Sequence, residues 1–443
     1  MAEHGDAKLT DLLATLADCP KAKSADVFLF ALRLTSEVLS SKNEPNSLHC
    51  GRSMGHRKHG TTRVAEVRGL AVSILLSVAL SGCAGRPSSA VLVPVTAPGT
   101  GEKIVQVLAA TTRARATDSE LDFTADRAPN INYQQYVVSI PPNHVGGKIE
   151  WPSQTPGNPQ SDFVVIENRP LTEAGFAKAI ESNLASKRSE NGAVLVFVHG
   201  YNTSHPEAVF RVAELAADLR SRGGAAVLFS WPSRADLTDY LTDRESATYS
   251  RDYLERVLNE IAGVPDVRSI YLVAHSMGNW LAVETLRQAK LRERSPFLKK
   301  LNEVVLLAPD IDVNVFRTQL DAIGKLNSPI IVAVSKDDRA LATSERLAGG
   351  VPRVGNVLID NPRAQAAIKR YGLDVVDLSQ VKSEDYFAHS KFADALPELQ
   401  NIAQSGGGAR GRNPGAAAGV FVLNGAGQLL SAPLVIGNAL LQQ

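Results

Sequence analysis

The chain has 443 residues, with 47 Lys and Arg against 46 Asp and Glu and a pI near 7.8. That is long enough for one large α/β domain with extensions, and it lacks the basic field that neutralises a nucleic-acid backbone. A hydrophobic share of 44% with 21% charged residues excludes a disordered chain, and the three cysteines, Cys19, Cys50 and Cys83, exclude a disulfide framework or a four-cysteine zinc site.

Residues 1–53 show helical spacing at Leu9, Leu12, Leu13 and Leu16, but nothing there suggests chemistry. Gly69 to Cys83 reads GLAVSILLSVALSGC, whose uncharged core from Leu70 to Leu80 is shorter than the roughly 20 residues of a bilayer-spanning helix. Arg57, Lys58, Arg63 and Arg68 precede it with a single acid, Glu66, so residues 54–82 read as a secretory signal starting at Met54. A buried core helix is the plainer alternative. Leu80-Ser81-Gly82-Cys83 resembles the lipobox of bacterial lipoproteins. That resemblance implies a lipidated Cys83, a mature chain beginning there, and an upstream extension at 1–53, the alternative for which is a genuine helical segment. It places the protein in a bacterial envelope, anchored in a membrane by its acylated terminus. Ala84, where an inner-membrane lipoprotein usually has aspartate, points to the periplasmic face of the outer membrane.

Residues 83–102 are small, Pro- and Gly-containing and aperiodic, the pattern of a tether. Strand-like runs follow at Ile104–Leu108, Gln135–Ile140, Phe163–Ile166, Val194–Val198, Ala226–Ser230, Ile270–Ala274, Val304–Ala308 and Ile330–Ser335. Several are continuously apolar, as in strands buried on both faces. Helical spacing lies between them at Phe176, Ile180 and Leu184, at Val209, Val212, Ala213, Ala216 and Leu219, and over Tyr253–Ile261. The alternation predicts a single α/β domain over 103–404, a mostly parallel sheet with helices on both faces. Residues 405–443 form a Gly-rich tail expected to be flexible, too interrupted for a membrane helix. No repeat, phosphate loop of the G-x-x-x-x-G-K type or His-x-x-x-His pair occurs.

The group with chemical content is Ala274-His275-Ser276-Met277-Gly278, between a strand and a helical run containing Trp280, Leu281 and Leu286. A nucleophile elbow needs this strand–turn–helix context, with small residues two before and two after the serine, here Ala274 and Gly278. At a helix N-terminus the Ser276 oxygen gains electrostatic help, with the Met277 N–H as one oxyanion donor.

With His199-Gly200-Tyr201-Asn202 after one strand, Ser230-Trp231-Pro232-Ser233 after the next and Ala308-Pro309-Asp310-Ile311-Asp312 after a later one, the sequence resembles an α/β-hydrolase of the esterase/lipase type. It is nearest a bacterial branch known as a domain of unknown function. The resemblance covers roughly residues 103 to 404. It implies a second oxyanion donor at the Tyr201 N–H, with Gly200 letting the backbone approach the substrate. His199 and His275 would then support the loop and elbow. Chain order in this fold is Ser, acid, His, and of nine histidines only His389 follows Ser276. The acid is expected at Asp338, with Asp337, Asp310 and Asp312 as rivals; helix capping is the alternative for the last two. Tyr240, Asp243 and Ser246 recur in the resembling family and could line an acyl or leaving-group pocket, with helix capping the plainer role for Asp243. The expected function is a serine hydrolase of an ester or related acyl bond, with no cofactor or metal and a small-molecule or lipid substrate. The competing readings are a non-catalytic lipid-anchored scaffold and an acyltransferase.

Overall fold

The computed structural model describes residues 86–96, 103–186, 192–219, 224–293, 295–328, 330–382, 391–394 and 420–422. The extension, the signal segment, Cys83 and His389 lie outside these residues, as does the tail except for 420–422.

One ten-stranded sheet organises the fold. Its strands are β1 (Lys103–Arg115), β2 (Phe123–Ile140), β3 (Val164–Leu171), β4 (Ala193–Val198), β5 (Ala225–Ser230), β6 (Ser269–His275), β7 (Leu301–Leu307), β8 (Ile330–Val334), β9 (Leu373–Asp377) and β10 (Val420–Val422). They lie in the order β10-β9-β8-β7-β6-β4-β5-β1-β2-β3. Every neighbouring pair is parallel except β1–β2 and β2–β3, so only β2 runs against the rest. The helices are α1 (Glu173–Ser186), α2 (His205–Asp218), α3 (Tyr240–Tyr249), α4 (Arg251–Gly263), α5 (Met277–Arg292), α6 (Val313–Ile323), α7 (Arg339–Leu347) and α8 (Pro362–Tyr371), with single turns at Phe297–Lys300 and Lys391–Asp394.

Side chains alternate across a strand, so a strand buried on both faces feeds two cores. In β5, Ala225, Val227 and Phe229 point into one core, where they meet α1, α4, α5 and α6 through residues such as Ile180, Leu258, Leu281 and Phe316. Ala226 and Leu228 enter the other, against Val209, Phe210 and Val212 of α2. This is the doubly covered parallel sheet that the continuous apolar runs predict.

The chain leaves β4 into α2 on one face and leaves the adjacent β6 into α5 on the other. Two neighbouring strands whose connections diverge open a crevice at their carboxyl ends, where ligands bind in open α/β sheets.

The structure departs from the tether expected after Cys83. Ser89–Leu92 forms a 3₁₀ turn whose Val91 and Leu92 are buried in the core beside α2. The Val95 N–H donates to the Val165 carbonyl at 2.9 Å. Likewise, Val420–Val422, expected within a flexible tail, pairs with β9. No helix among the described residues is long and apolar enough to cross a membrane.

Candidate active site

Ser276 sits between β6 and α5 with φ 51° and ψ −122°. A non-glycine residue there costs on the order of 1–3 kcal/mol and persists only where its surroundings hold it. Those surroundings are visible. The Ser276 N–H donates to the Leu307 carbonyl at 2.9 Å, and its own carbonyl accepts from the N–H groups of Asn279 at 3.0 Å and Asp310 at 3.3 Å. The fully buried Asn279 amide adds two bonds, to the Ser276 carbonyl at 3.0 Å and the Leu307 carbonyl at 2.8 Å. Sequence reasoning missed Asn279; its signal was an amide in the first turn of the helix, among the buried Met277, Gly278 and Leu281.

Small residues let the two loops meet. A Cβ on Gly278 would lie 2.3 Å from the His199 carbonyl oxygen, and one on Gly200 would lie 2.9 Å from both Ser276 Cβ and His275 Nδ1. The loop after β4 therefore rests directly on the elbow. Among the described residues, neither the Tyr201 nor the Met277 N–H has a partner, the latter being an orphan donor at the first position of α5.

The rest of that loop is held on every side. The Asn202 N–H, at a residue with φ 54°, donates to Asp243 Oδ2 at 3.3 Å, and the Thr203 N–H to Ser233 Oγ at 3.2 Å. Asp243 also accepts from the Arg234 N–H at 2.7 Å and from Ser233 Oγ. It thus ties the loops after β4 and β5 together, and does not cap α3 as expected; the capping position is Asp239. Burial raises its pKa, against the opposing effect of those hydrogen bonds and of the Arg113 charge.

Arg113, a charge buried near the end of β1, was a further signal left unread. It donates to Ser230 Oγ at 3.1 Å, the Ser233 carbonyl at 2.9 Å and the Thr203 carbonyl at 3.0 Å. Burial lowers its pKa to about 10, which leaves it charged at neutral pH.

His199 stacks on Trp231 with ring centroids 4.9 Å apart, and Trp231 Nε1 donates to the His199 carbonyl at 2.7 Å. Burial, aided by the Arg113 charge, pushes the His199 pKa down to about 3. This neutral imidazole is clamped between Trp231 and the loop after β4. The His275 ring packs on Phe392 at 4.8 Å.

The acidic candidates are sorted by their partners. Asp310 accepts from Tyr240 at 2.9 Å and Ser344 at 2.6 Å and pairs with the buried Arg353 at 3.3 Å, so its carboxylate is committed. Asp312 caps α6 through the N–H groups of Asn314 and Val315. Asp337 takes two 2.8 Å bonds from Lys391 and one from Ser335; burial raises its pKa, but these contacts outweigh that and lower it. Asp338 is 1% exposed, stands at the carboxyl end of β8 and accepts the Leu341 N–H at 2.9 Å as α7 begins. It lines a small cleft with Ala308, Leu378, Lys391 and Phe392. Of the other residues singled out, Tyr240 meets Tyr201 edge-on at 5.3 Å, and Ser246 accepts from Arg127 at 3.2 Å.

A doubly wound sheet with a strained serine at the strand-to-helix elbow defines the α/β-hydrolase class. The chain matches, over residues 174–405, the family described as alpha/beta hydrolase of unknown function (DUF900), and it belongs to that family. It is 37% identical to an uncharacterized protein of Nostoc sp. over 82 residues, 18% of this chain and 21% of the relative, and so spans about a fifth of that curated relative's length. Among solved structures it is similar to Est1E from Butyrivibrio proteoclasticus (14% identity, 51% of this chain, 91% of that one, TM-score 0.32). It is also similar to a Pyrobaculum calidifontis esterase (14% identity, 48% and 74%, TM-score 0.26). Family membership supports hydrolase chemistry in general terms; a fold assigns no substrate.

Proposed function

We propose that the protein is a serine hydrolase of an ester or related acyl bond, with Ser276, His389 and Asp338 as its triad. The observation that carries this reading is the conformation of Ser276, held against Gly200 beside two backbone N–H groups that have no partner among the described residues. His389 takes the Ser276 hydroxyl proton as the oxygen attacks the acyl carbonyl, and the Tyr201 and Met277 N–H groups receive the oxyanion. Collapse expels the alcohol, which takes the proton from His389 and leaves an acyl-enzyme. Water, giving a proton to His389, then attacks the acyl carbonyl; collapse breaks the bond to Ser276, whose oxygen recovers the proton from His389, and the acid is released. Asp338 orients the imidazole and stabilises its protonated form.

Two further points support these assignments. Asp338 stands at the carboxyl end of β8 in the cleft it shares with Lys391 and Phe392, and Lys391, two residues after His389, is buried there. The same reading includes acylation at Cys83, an envelope location and a membrane-borne or small acyl substrate.

The test is labelling of the full chain with a fluorophosphonate, read by intact mass, with Ser276→Ala and His389→Ala alongside. A single adduct that disappears in both variants is expected. An adduct retained in Ser276→Ala, or none on folded wild-type protein, overturns the assignment and leaves the scaffold reading.

A further inference from the structure

Arg86 lies in the segment that the sequence presents as a tether, yet its guanidinium spans three elements around the candidate site. Nε pairs with Glu207 at the start of α2 at 2.9 Å. Nη1 donates to Asn202 Oδ1 at 2.8 Å and to the Ala235 carbonyl in the loop after β5. Nη2 donates to the Asn202 carbonyl at 2.7 Å. Four acceptors for one planar fork fix geometry as well as charge.

Their location is informative. Asn202 follows the proposed oxyanion donor Tyr201 directly and has a left-handed backbone, φ 54°. Asp243 holds its N–H, and Arg86 holds its carbonyl and its side chain. Glu207, the ion-pair partner, also accepts the Ser204 N–H at 2.7 Å and so fastens the far end of the same loop. Arg113 grips the neighbouring Thr203 carbonyl. A residue serving only to fasten segment 86–96 would not need these partners, because that segment is already secured by buried Val91 and Leu92, by Val95 on Val165, and by Asn168 on the Leu92 carbonyl at 3.3 Å.

We propose that Arg86 is a positioning residue: through Asn202 it sets the direction of the Tyr201 N–H, so the oxyanion site is complete only with the N-terminal segment docked. This rests on the serine-hydrolase reading above. Misplacing a preorganised donor raises the barrier to reaction and leaves ground-state binding little changed.

The test uses the full chain and p-nitrophenyl butyrate. Arg86→Ala is expected to lower kcat by roughly 10- to 100-fold with KM within about twofold. Fluorophosphonate labelling should slow in parallel, because the phosphonyl oxygen occupies the same site. Arg86→Lys, which keeps the charge beside Glu207 but not the fork, should be intermediate, and millimolar guanidinium should restore part of the Arg86→Ala rate. A kcat within about twofold of wild type in folded Arg86→Ala overturns the proposal. So does an unchanged kcat in Arg86→Lys if the alanine variant does not fold. Ser276→Ala, run in parallel, separates the two ideas: turnover retained there defeats the serine reading, whereas an inactive Ser276→Ala beside an unimpaired Arg86→Ala defeats only this one.

Discussion

At the scale of single residues, the site is a matter of distances too short for a side chain. A Cβ at Gly278 would meet the His199 and Val198 carbonyl oxygens at 2.3 and 2.7 Å, and both are backbone atoms at the end of the central strand. Gly278→Ala is therefore expected to cost on the order of 3 kcal/mol of stability or more, read as a lower urea midpoint. The two adjacent aspartates make a sharper pair. Asp338→Asn should reduce kcat by about 10⁴-fold if it orients His389. Asp337→Asn, at a half-exposed carboxylate bound to Lys391, should change kcat by less than about tenfold. Equal losses in the two variants would contradict the assignment. Ser276 and its glycine were legible because a sharp elbow demands both in fixed order. Asp338 is proposed, as from the sequence, on its place after an apolar strand; what the sequence could not show is how Asp310 is held by Tyr240, Ser344 and Arg353, which lie 70, 34 and 43 positions away.

At the scale of elements, the strand cores were legible and their lengths were not. The residues read as strands, Val194–Val198 and Ala226–Ser230, are buried on both faces, so composition announced them. β2 runs from Phe123, but its first half is polar and contains Pro129, and its pairing with β1 decides it rather than any local pattern. β9 escaped for a similar reason, since aspartates bracket Val375 and Val376. A connecting loop gives a pH prediction. His144 joins the loop after β2 to the end of α2, contacting Glu150 at 2.8 Å and Asp218 at 3.0 Å, while Asp218 also accepts the Gly147 N–H. Burial lowers the His144 pKa, but its two carboxylate partners outweigh this and the net shift is upward. Protonated His144 therefore favours the folded state below its ordinary pKa of about 6.5. That contribution fades as pH rises through the higher folded value. His144→Asn should flatten this part of the curve of thermal midpoint against pH; an unchanged slope would show that the contact carries no linkage.

For the whole molecule, the parallel sheet and its site at the carboxyl ends of the strands could be read from alternating strands and helices. The strand order could not, because each crossover is decided by which face its helix covers. The cost of burying strands on both faces shows at Glu303 in β7, 8% exposed. Burial, with Asp374 nearby, raises its pKa to about 7. Its neutral form is the one the fold favours, so this group's stabilisation is complete below about pH 4.5 and is lost as pH rises through about 7. Glu303→Gln should raise the urea midpoint at pH 8 and change it little at pH 4.5, and a loss at pH 8 would refute the argument.

The docked Arg86 has a consequence for where substrate is met. It stands three residues beyond Cys83, a length of chain that spans at most about 10 Å. With Cys83 acylated as proposed, the loops bounding the elbow would be leashed to the bilayer by less than half its hydrocarbon thickness of about 30 Å. Turnover would then follow the surface density of esters among the headgroups, at an effective concentration set by the leash, more than their concentration in bulk solution.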